Sequence, residues 1–118
     1  MNFDANTPIY LQIMDDFKIQ LMKGTWKGGD KVASVRELAV QYGVNPNTIQ
    51  RSLSELEREG YLYSERTSGR FITKDEERLT SLKKEYADTL VDTCIQKLHE
   101  LNLSDEKIIE RMKVRLGK

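Results

Sequence analysis

Two helix-start signals separated by a glycine constrain this chain more than any other feature. Ser34 is followed three positions later by Glu37, a capping box in which each side chain satisfies a free backbone N–H at the start of a helix. Asn45 and Pro46 mark a second start, since Asn is a favoured N-cap and Pro is favoured at the first helical position. Gly43 ends the first of the two helices. The segment therefore predicts two short helices joined by a tight turn, a helix-turn-helix.

Apolar residues at helical spacing predict what packs against this motif. An earlier helix is expected to begin at Thr7-Pro8, with Thr7 as its N-cap, and to end at Gly24. Trp26 and Tyr61 are expected to cover the resulting core. The inward-facing residues are Ile9, Ile13, Phe17 and Leu21 of the earlier helix and Ile49, Leu53 and Leu56 of the second motif helix.

Two short alternating segments follow the motif. Residues 61–63 and 71–73 are rich in aromatic and β-branched side chains, and the polar stretch 66–70 between them predicts a turn. A β-hairpin directly after the second motif helix makes a winged helix-turn-helix. The predicted fold class is mostly α with a small β wing, and the winged domain is expected to span residues 1–73.

The remaining residues, 74–118, predict a two-helix tail. Residues 74–102 contain neither Pro nor Gly and repeat apolar residues every three or four positions, and Ser104 is expected to cap a final helix. A tail of about 45 residues is too small to hold a core of its own. We therefore expect a dimerisation domain, the alternative being a monomer whose tail folds back onto the winged domain. The predicted dimer contacts are Leu82, Tyr86, Leu90, Ile95, Leu98, Ile109 and Met112.

Composition and charge exclude several classes of protein. The 118 residues contain no apolar run of the roughly 18 residues that span a membrane, and the first residues lack a signal-peptide pattern. One Cys and one His argue against a disulfide framework and a structural zinc site, so we expect a cytoplasmic protein without metal or cofactor. The 19 basic residues balance 19 acidic ones, and nine of each lie in residues 1–73. This balance argues by itself against a nucleic-acid partner.

The outward face of the second motif helix nevertheless carries side chains suited to reading bases. Asn47, Gln50 and Arg51 occupy its N-terminal half, whereas Glu55 and Glu59 lie near its end. Asn or Gln can pair with adenine, and Arg with guanine, through two hydrogen bonds in the major groove. Because phosphates repel carboxylates, only the N-terminal half is expected to approach DNA.

The order of elements and three sequence runs resemble the GntR family of bacterial transcription regulators. The runs are residues 29–39, 42–51 and 56–62, and the match to the winged domain covers roughly residues 8–73. Val-Asn-Pro-Asn-Thr at 44–48, with a short two-helix tail, is similar to the YtrA-type branch of that family. The chain departs from the family pattern at Gly28 and Ala33, where proline is common, and at Thr67, where glycine is common.

The resemblance implies a sequence-specific repressor of a small operon, such as a transporter operon. It implies a homodimer on a roughly palindromic double-stranded DNA operator, with the second motif helix in the major groove. Free N–H groups at helix starts favour phosphates near Ser34 and Thr48. The predicted DNA-binding residues are Ser34, Arg36, Asn45, Asn47, Thr48, Gln50, Arg51, Arg66, Gly69 and Arg70.

Other readings of the sequence stay open. A winged-helix protein-interaction module without specific DNA binding would use its tail for docking. An enzyme would need a nucleophile–base pair, a phosphate-binding glycine loop or a metal cluster; the sequence shows none of these, and we predict no enzymatic activity. The tail is too short for a large ligand-binding domain, and a small-molecule effector of unknown identity near Tyr86 and Leu90 is an open alternative.

Overall fold

The structure, a computed structural model, describes all 118 residues as five α-helices and one two-stranded antiparallel sheet. It contains two compact units, Met1–Ser81 and Leu82–Lys118. The mostly helical fold with a small β wing is the predicted fold class, whereas the functional boundary after Thr73 stays a prediction. The elements are α1 (Ile9–Lys23), α2 (Val35–Tyr42), α3 (Pro46–Arg58), β1 (Leu62–Glu65), β2 (Gly69–Ile72), α4 (Glu76–Glu100) and α5 (Asp105–Leu116).

The core of the first unit is built from α1, α2, α3 and the wing. Tyr61 is buried, and Trp26 packs on Phe17 with ring centroids 4.4 Å apart, so both aromatic residues cover the core as predicted. Ile9 departs from the predicted stripe, because its side chain at the first position of α1 is 43% exposed. The most deeply buried side chains are Phe17, Ile13, Ile49, Leu53, Leu56, Ile72 and Ser52.

The ends of α2 and α3 follow the predicted local signals. Ser34 Oγ accepts a hydrogen bond from the Glu37 backbone N–H at 3.1 Å. The other half of the capping box differs from the prediction, because the Glu37 carboxylate accepts from the Ser34 hydroxyl and not from its backbone N–H. Gly43 ends α2 in the left-handed conformation, and Asn45 Oδ1 accepts from the Asn47 N–H at 2.8 Å. These contacts fix where α3 begins.

The start of α1 differs from the predicted one. Thr7 is not the N-cap: Pro8 occupies that position, and its carbonyl accepts from the N–H groups of Leu11 and Gln12. No side chain caps α1, and the Thr7 hydroxyl lies 3.5 Å from the Asp4 carboxylate instead. The prediction was wrong because the helix begins one residue later, which leaves Thr7 outside the cap position.

The wing hairpin is extended by the loop that precedes α2. Strands β1 and β2 pair in antiparallel register from Leu62–Ile72 to Glu65–Gly69. Lys31 forms an isolated bridge with Phe71, and the Val32 N–H donates to the Arg70 carbonyl at 2.9 Å. The wing is therefore anchored to the segment that leads into α2.

Gly28 approaches the end of the wing too closely to carry a side chain. A Cβ at this position would lie 2.9 Å from the Thr73 carbonyl oxygen and 3.2 Å from the Lys74 Cα. The neighbouring Gly29 N–H donates to the Ile72 carbonyl at 2.8 Å, which holds the two segments together. Steric contact with backbone atoms thus accounts for glycine at Gly28.

The second unit consists of most of α4 together with α5. Ser104 caps α5, as predicted, by accepting from the Lys107 N–H at 3.3 Å. Leu82 and Ile108 are its buried apolar side chains, while Cys94 is half-buried. None of the helices has the length and apolar character that crossing a membrane requires.

Candidate nucleic-acid interface

The N-terminal half of α3 presents a polar exposed face. Asn47, Gln50 and Arg51 are exposed, and Thr48 is half-buried. The Asn45 side-chain oxygen is engaged in the cap, which leaves its amide N–H groups as donors. Because side-chain amides and guanidinium groups can each form paired hydrogen bonds with base edges, this face has the chemistry of a major-groove reader.

Arg51 is held in place by a residue of α1. Its guanidinium carbon lies 3.7 Å from the centroid of the Tyr10 ring, well within the range of a cation–π interaction. The two side chains line an open pocket of about 300 Å³ together with Ile9, Asn47 and Thr48. The guanidinium therefore keeps a defined position while its N–H groups stay exposed to a ligand.

The C-terminal half of α3 and the cap residue that follows it are acidic, but their carboxylates are neutralised within the chain. Each of the three glutamates forms an ion pair with a basic side chain. The pairs are Glu55 with Arg58, Glu57 with Arg70 at 3.3 Å, and Glu59 with Lys18 at 3.2 Å. This pairing reduces the repulsion that free carboxylates would exert on an approaching phosphate.

The two wing arginines occupy different environments. Arg66 lies in the exposed turn between the strands. Arg70, in contrast, is half-buried and folds back onto α3, where its Nε contacts Glu57 at 3.3 Å and its Nη1 lies 3.5 Å from Gln50 Oε1. The sequence predicts that the two arginines flank the wing tip as candidate DNA contacts. In the structure Arg66 lies in the turn, whereas acceptors on α3 draw the Arg70 guanidinium inward.

The segment before α2 faces the wing turn across a groove. An open cavity of about 640 Å³ lies between residues 31–35 and residues 67–70. Gly69 adopts a φ of +105°, a conformation that favours glycine and turns the chain into β2. Arg36 is exposed in the first turn of α2, where the helix dipole disfavours a cation. Its position leaves the side chain free for an external anion.

The structure brings some of the predicted residues together and leaves others separate. Gln50 and Arg70 meet across α3 and the wing, whereas Arg36 and Arg66 have no ion-pair partner within the chain. Sequence reasoning missed the roles of Tyr10 and Glu57, which hold Arg51 and Arg70. No local pattern could reveal them, since each contact joins residues far apart in the chain.

The predicted dimer contacts differ in their accessibility. Tyr86, Leu90 and Ile109 are exposed, at 41%, 60% and 55%. Leu82 is 6% exposed, so the single chain already buries a residue that the sequence assigned to the interface. The half-buried members of the set are Ile95, Leu98 and Met112.

This protein has the winged helix-turn-helix arrangement that defines the winged-helix class of transcription regulators. The short helix is α2, the helix with the polar face is α3, and the flanking β-hairpin is β1–β2. The family profile described as "Bacterial regulatory proteins, gntR family" matches residues 9–72. The chain belongs to the GntR family, and it is therefore a transcription regulator and not an enzyme.

Individual relatives agree with this assignment over most of the chain. The chain is 40% identical to the uncharacterized HTH-type transcriptional regulator YhcF of Bacillus subtilis, over 94% of this chain and 92% of the relative. It is 37% identical to the HTH-type transcriptional repressor YtrA of Bacillus subtilis, over 81% and 82%. A solved GntR family transcriptional regulator from Listeria monocytogenes matches with a TM-score of 0.86 and 40% identity, over 94% and 97%. The predicted YtrA-type resemblance is confirmed.

Proposed function

We propose that this protein is a dimeric repressor that binds a roughly palindromic double-stranded DNA operator through α3 and the wing. The observation that carries the proposal is the polarity of α3. Asn47, Gln50 and Arg51 are exposed in its N-terminal half, while the glutamates of its C-terminal half are paired within the chain. The N-terminal half is thus the part of α3 suited to enter a major groove. The likeness to the repressor YtrA supports repression as the outcome of binding.

Contacts with the DNA backbone are assigned to residues around this face. Arg36 and Arg66 are exposed arginines without an internal ion-pair partner, which suits them to phosphates. Arg70 lies beside Gln50 and Ser54 and is assigned to the groove side of the interface. The side chains of Ser34, Asn45 and Thr48 at the helix starts, together with the wing turn at Gly69, complete the proposed surface.

The dimer interface is placed on the apolar surface of the second unit. Tyr86, Leu90 and Ile109 expose large apolar side chains, with Ile95, Leu98 and Met112 half-buried beside them in the chain's two C-terminal helices. Association of two copies would cover this surface in a four-helix arrangement. Two winged domains related by a two-fold axis would then read half-sites separated by about one helical turn or a multiple of it.

The zero net charge of the chain limits how strongly it would bind DNA through phosphate contacts alone. Non-specific affinity comes mainly from cations that neutralise phosphates, and the chain carries equal numbers of basic and acidic residues. Base contacts and dimer symmetry must therefore supply much of the affinity. We place the protein in the cytoplasm, on the operator of a small operon such as a transporter operon, and a small-molecule effector stays a prediction.

Fluorescence anisotropy of the full chain provides the test. The probes are duplexes from the region upstream of its own gene and scrambled duplexes of the same length, each at several salt concentrations. We expect a preference of roughly 10³-fold or more for one upstream duplex, with affinity falling as salt rises. Equal binding to both duplexes at every salt concentration would contradict the proposal and favour a protein-interaction module.

A further inference from the structure

Glu57 links the wing to the base-reading helix through a single oxygen. Its Oε1 accepts from the Ser64 hydroxyl of β1 at 2.6 Å and from the Arg70 Nε of β2 at 3.3 Å. The Arg70 guanidinium then extends along α3, where Nη2 lies 3.4 Å from Ser54 Oγ and Nη1 lies 3.5 Å from Gln50 Oε1. One carboxylate thus fixes the position of a wing cation beside the polar face of α3.

This arrangement sets a carboxylate in competition with a phosphate for the same guanidinium. Both anions accept paired, charge-assisted hydrogen bonds from arginine. The side chains of Arg70 and Glu57 are 21% and 37% exposed, so the pair is less screened than a fully exposed one. An arginine held in this way contributes little net charge to a phosphate backbone.

We infer that Glu57 is a specificity-determining residue, which withholds Arg70 from DNA phosphates and keeps its guanidinium aligned with Gln50 and Ser54. This inference rests on the proposed DNA-binding function. A cation that is free to pair with any phosphate strengthens binding to every sequence equally. Holding Arg70 beside the polar face of α3 lowers the affinity for non-specific DNA. It also keeps the guanidinium in position to contact bases in the major groove of the operator.

The test compares two variants that each remove one negative charge from α3. Glu57→Gln frees Arg70 at the proposed interface, whereas Glu55→Gln frees Arg58 at the last position of the helix. Each additional phosphate contact steepens the dependence of log K on log salt by about 0.9. We expect this steepening on a scrambled duplex for Glu57→Gln only. Its affinity should fall roughly 3.5-fold more than that of the unmodified chain between 50 and 200 mM salt.

Arg70→Gln provides a second measurement that does not depend on Glu57 variants folding well. Because Arg70 is held away from phosphates, this variant should keep the salt dependence of the unmodified chain on scrambled DNA. It should also weaken binding to the preferred upstream duplex. Adding Arg70→Gln to Glu57→Gln should restore the original salt dependence.

Three results would overturn the inference. The first is an equal steepening of the salt dependence of binding in Glu57→Gln and Glu55→Gln. The second is an unchanged salt dependence in a folded Glu57→Gln. The third is a shallower salt dependence on scrambled DNA in Arg70→Gln alone. The salt dependence of the variants on scrambled DNA can be compared whether or not the protein prefers an upstream duplex. An unmodified chain without any preferred duplex would thus contradict the proposed function, while the variants would still decide whether Glu57 restrains Arg70.

Discussion

The Arg78 guanidinium in the first turn of α4 donates two hydrogen bonds to the backbone carbonyl of Glu59 at the end of α3, from Nε at 3.1 Å and from Nη2 at 2.9 Å. Carbonyls at a helix C-terminus lack intrahelical partners, and a cation there also interacts favourably with the helix dipole. The same guanidinium carbon lies 4.4 Å from the centroid of the Tyr61 ring. The start of α4 thereby stabilises the end of the proposed reading helix.

Replacement of Arg78 by alanine is expected to lower the free energy of unfolding by about 1.5–3 kcal/mol, the usual contribution of hydrogen bonds from a charged group. Urea denaturation followed by circular dichroism measures this change. Arg111→Ala is the matched control, since Arg111 is exposed on α5 and should change stability by less than about 0.5 kcal/mol. Equal losses in the two variants would contradict the role assigned to Arg78.

Removal of the Arg51 guanidinium should weaken operator binding without unfolding the chain. Arg51→Ala is expected to cost about 1–3 kcal/mol of binding free energy, the contribution of a good base contact, or roughly five- to 150-fold in Kd. Anisotropy on the preferred upstream duplex measures the loss. Arg111→Ala, at an exposed position on α5 outside the proposed DNA-binding surface, should bind nearly as well as the unmodified chain.

Tyr10 should influence DNA binding only through Arg51. Tyr10→Phe keeps the aromatic face 3.7 Å from the guanidinium carbon, whereas Tyr10→Leu removes it. We therefore expect the leucine variant to weaken operator binding and the phenylalanine variant to leave it unchanged. A loss of equal size in both would show that the hydroxyl, and not the ring, is the important group.

An aspartate at Leu90 is expected to convert the proposed dimer into a monomer, because it places a charge within an apolar interface. Sedimentation velocity at several protein concentrations measures the change. Val40→Asp is a suitable control, since Val40 is 79% exposed on α2 and lies outside the proposed interface. Dimers that persist in Leu90→Asp, or that dissociate in Val40→Asp, would place the interface elsewhere.

Tyr42 is expected to make stability depend on alkaline pH. Burial, the hydrogen bond that its hydroxyl donates to Asp16 at 2.7 Å, and the Asp16 charge together raise the pKa of Tyr42 far above its usual value. The unfolded chain ionises this group near pH 10, whereas the folded chain keeps it neutral. Its contribution to stability is therefore complete below about pH 10 and decreases as pH rises above that value.

Denaturation at a series of pH values checks this expectation. Tyr42→Phe should lose about 1.5–3 kcal/mol at neutral pH, because a hydrogen bond to a charged carboxylate is removed, and should show a weaker decline above about pH 10. Tyr63→Phe serves as the comparison, since Tyr63 lies in the wing and stacks on Phe71. An identical alkaline decline in the unmodified chain and in Tyr42→Phe would exclude Tyr42 as its source.

The sequence predicted the features that depend on neighbouring residues. Ser34, Gly43 and Asn45 act at helix ends through contacts within a few positions, and the structure confirms the places of α2 and α3. The prediction for Thr7 was wrong by a single residue, because capping depends on where the first helical turn closes. Local signals therefore predict the presence of an element more reliably than they predict its first residue.

The contacts that organise the candidate site could not be predicted in this way. Tyr10 reaches Arg51, and Glu57 reaches Arg70, only after helices and hairpin have packed. The steric requirement for glycine at Gly28 likewise arises only when the end of the wing packs against it. Such contacts depend on tertiary geometry and cannot be predicted from the spacing of residues along the chain.

The ion pairs that neutralise the end of α3 have a consequence for the protein in its cell. A genome offers about 10⁶–10⁹ competing non-specific sites, and a regulator attracted to all of them is mostly sequestered. A chain without net charge, whose cations Lys18, Arg58 and Arg70 are paired with glutamates at the end of α3, would bind such non-specific sites weakly. A small number of molecules would then suffice to keep one operator occupied.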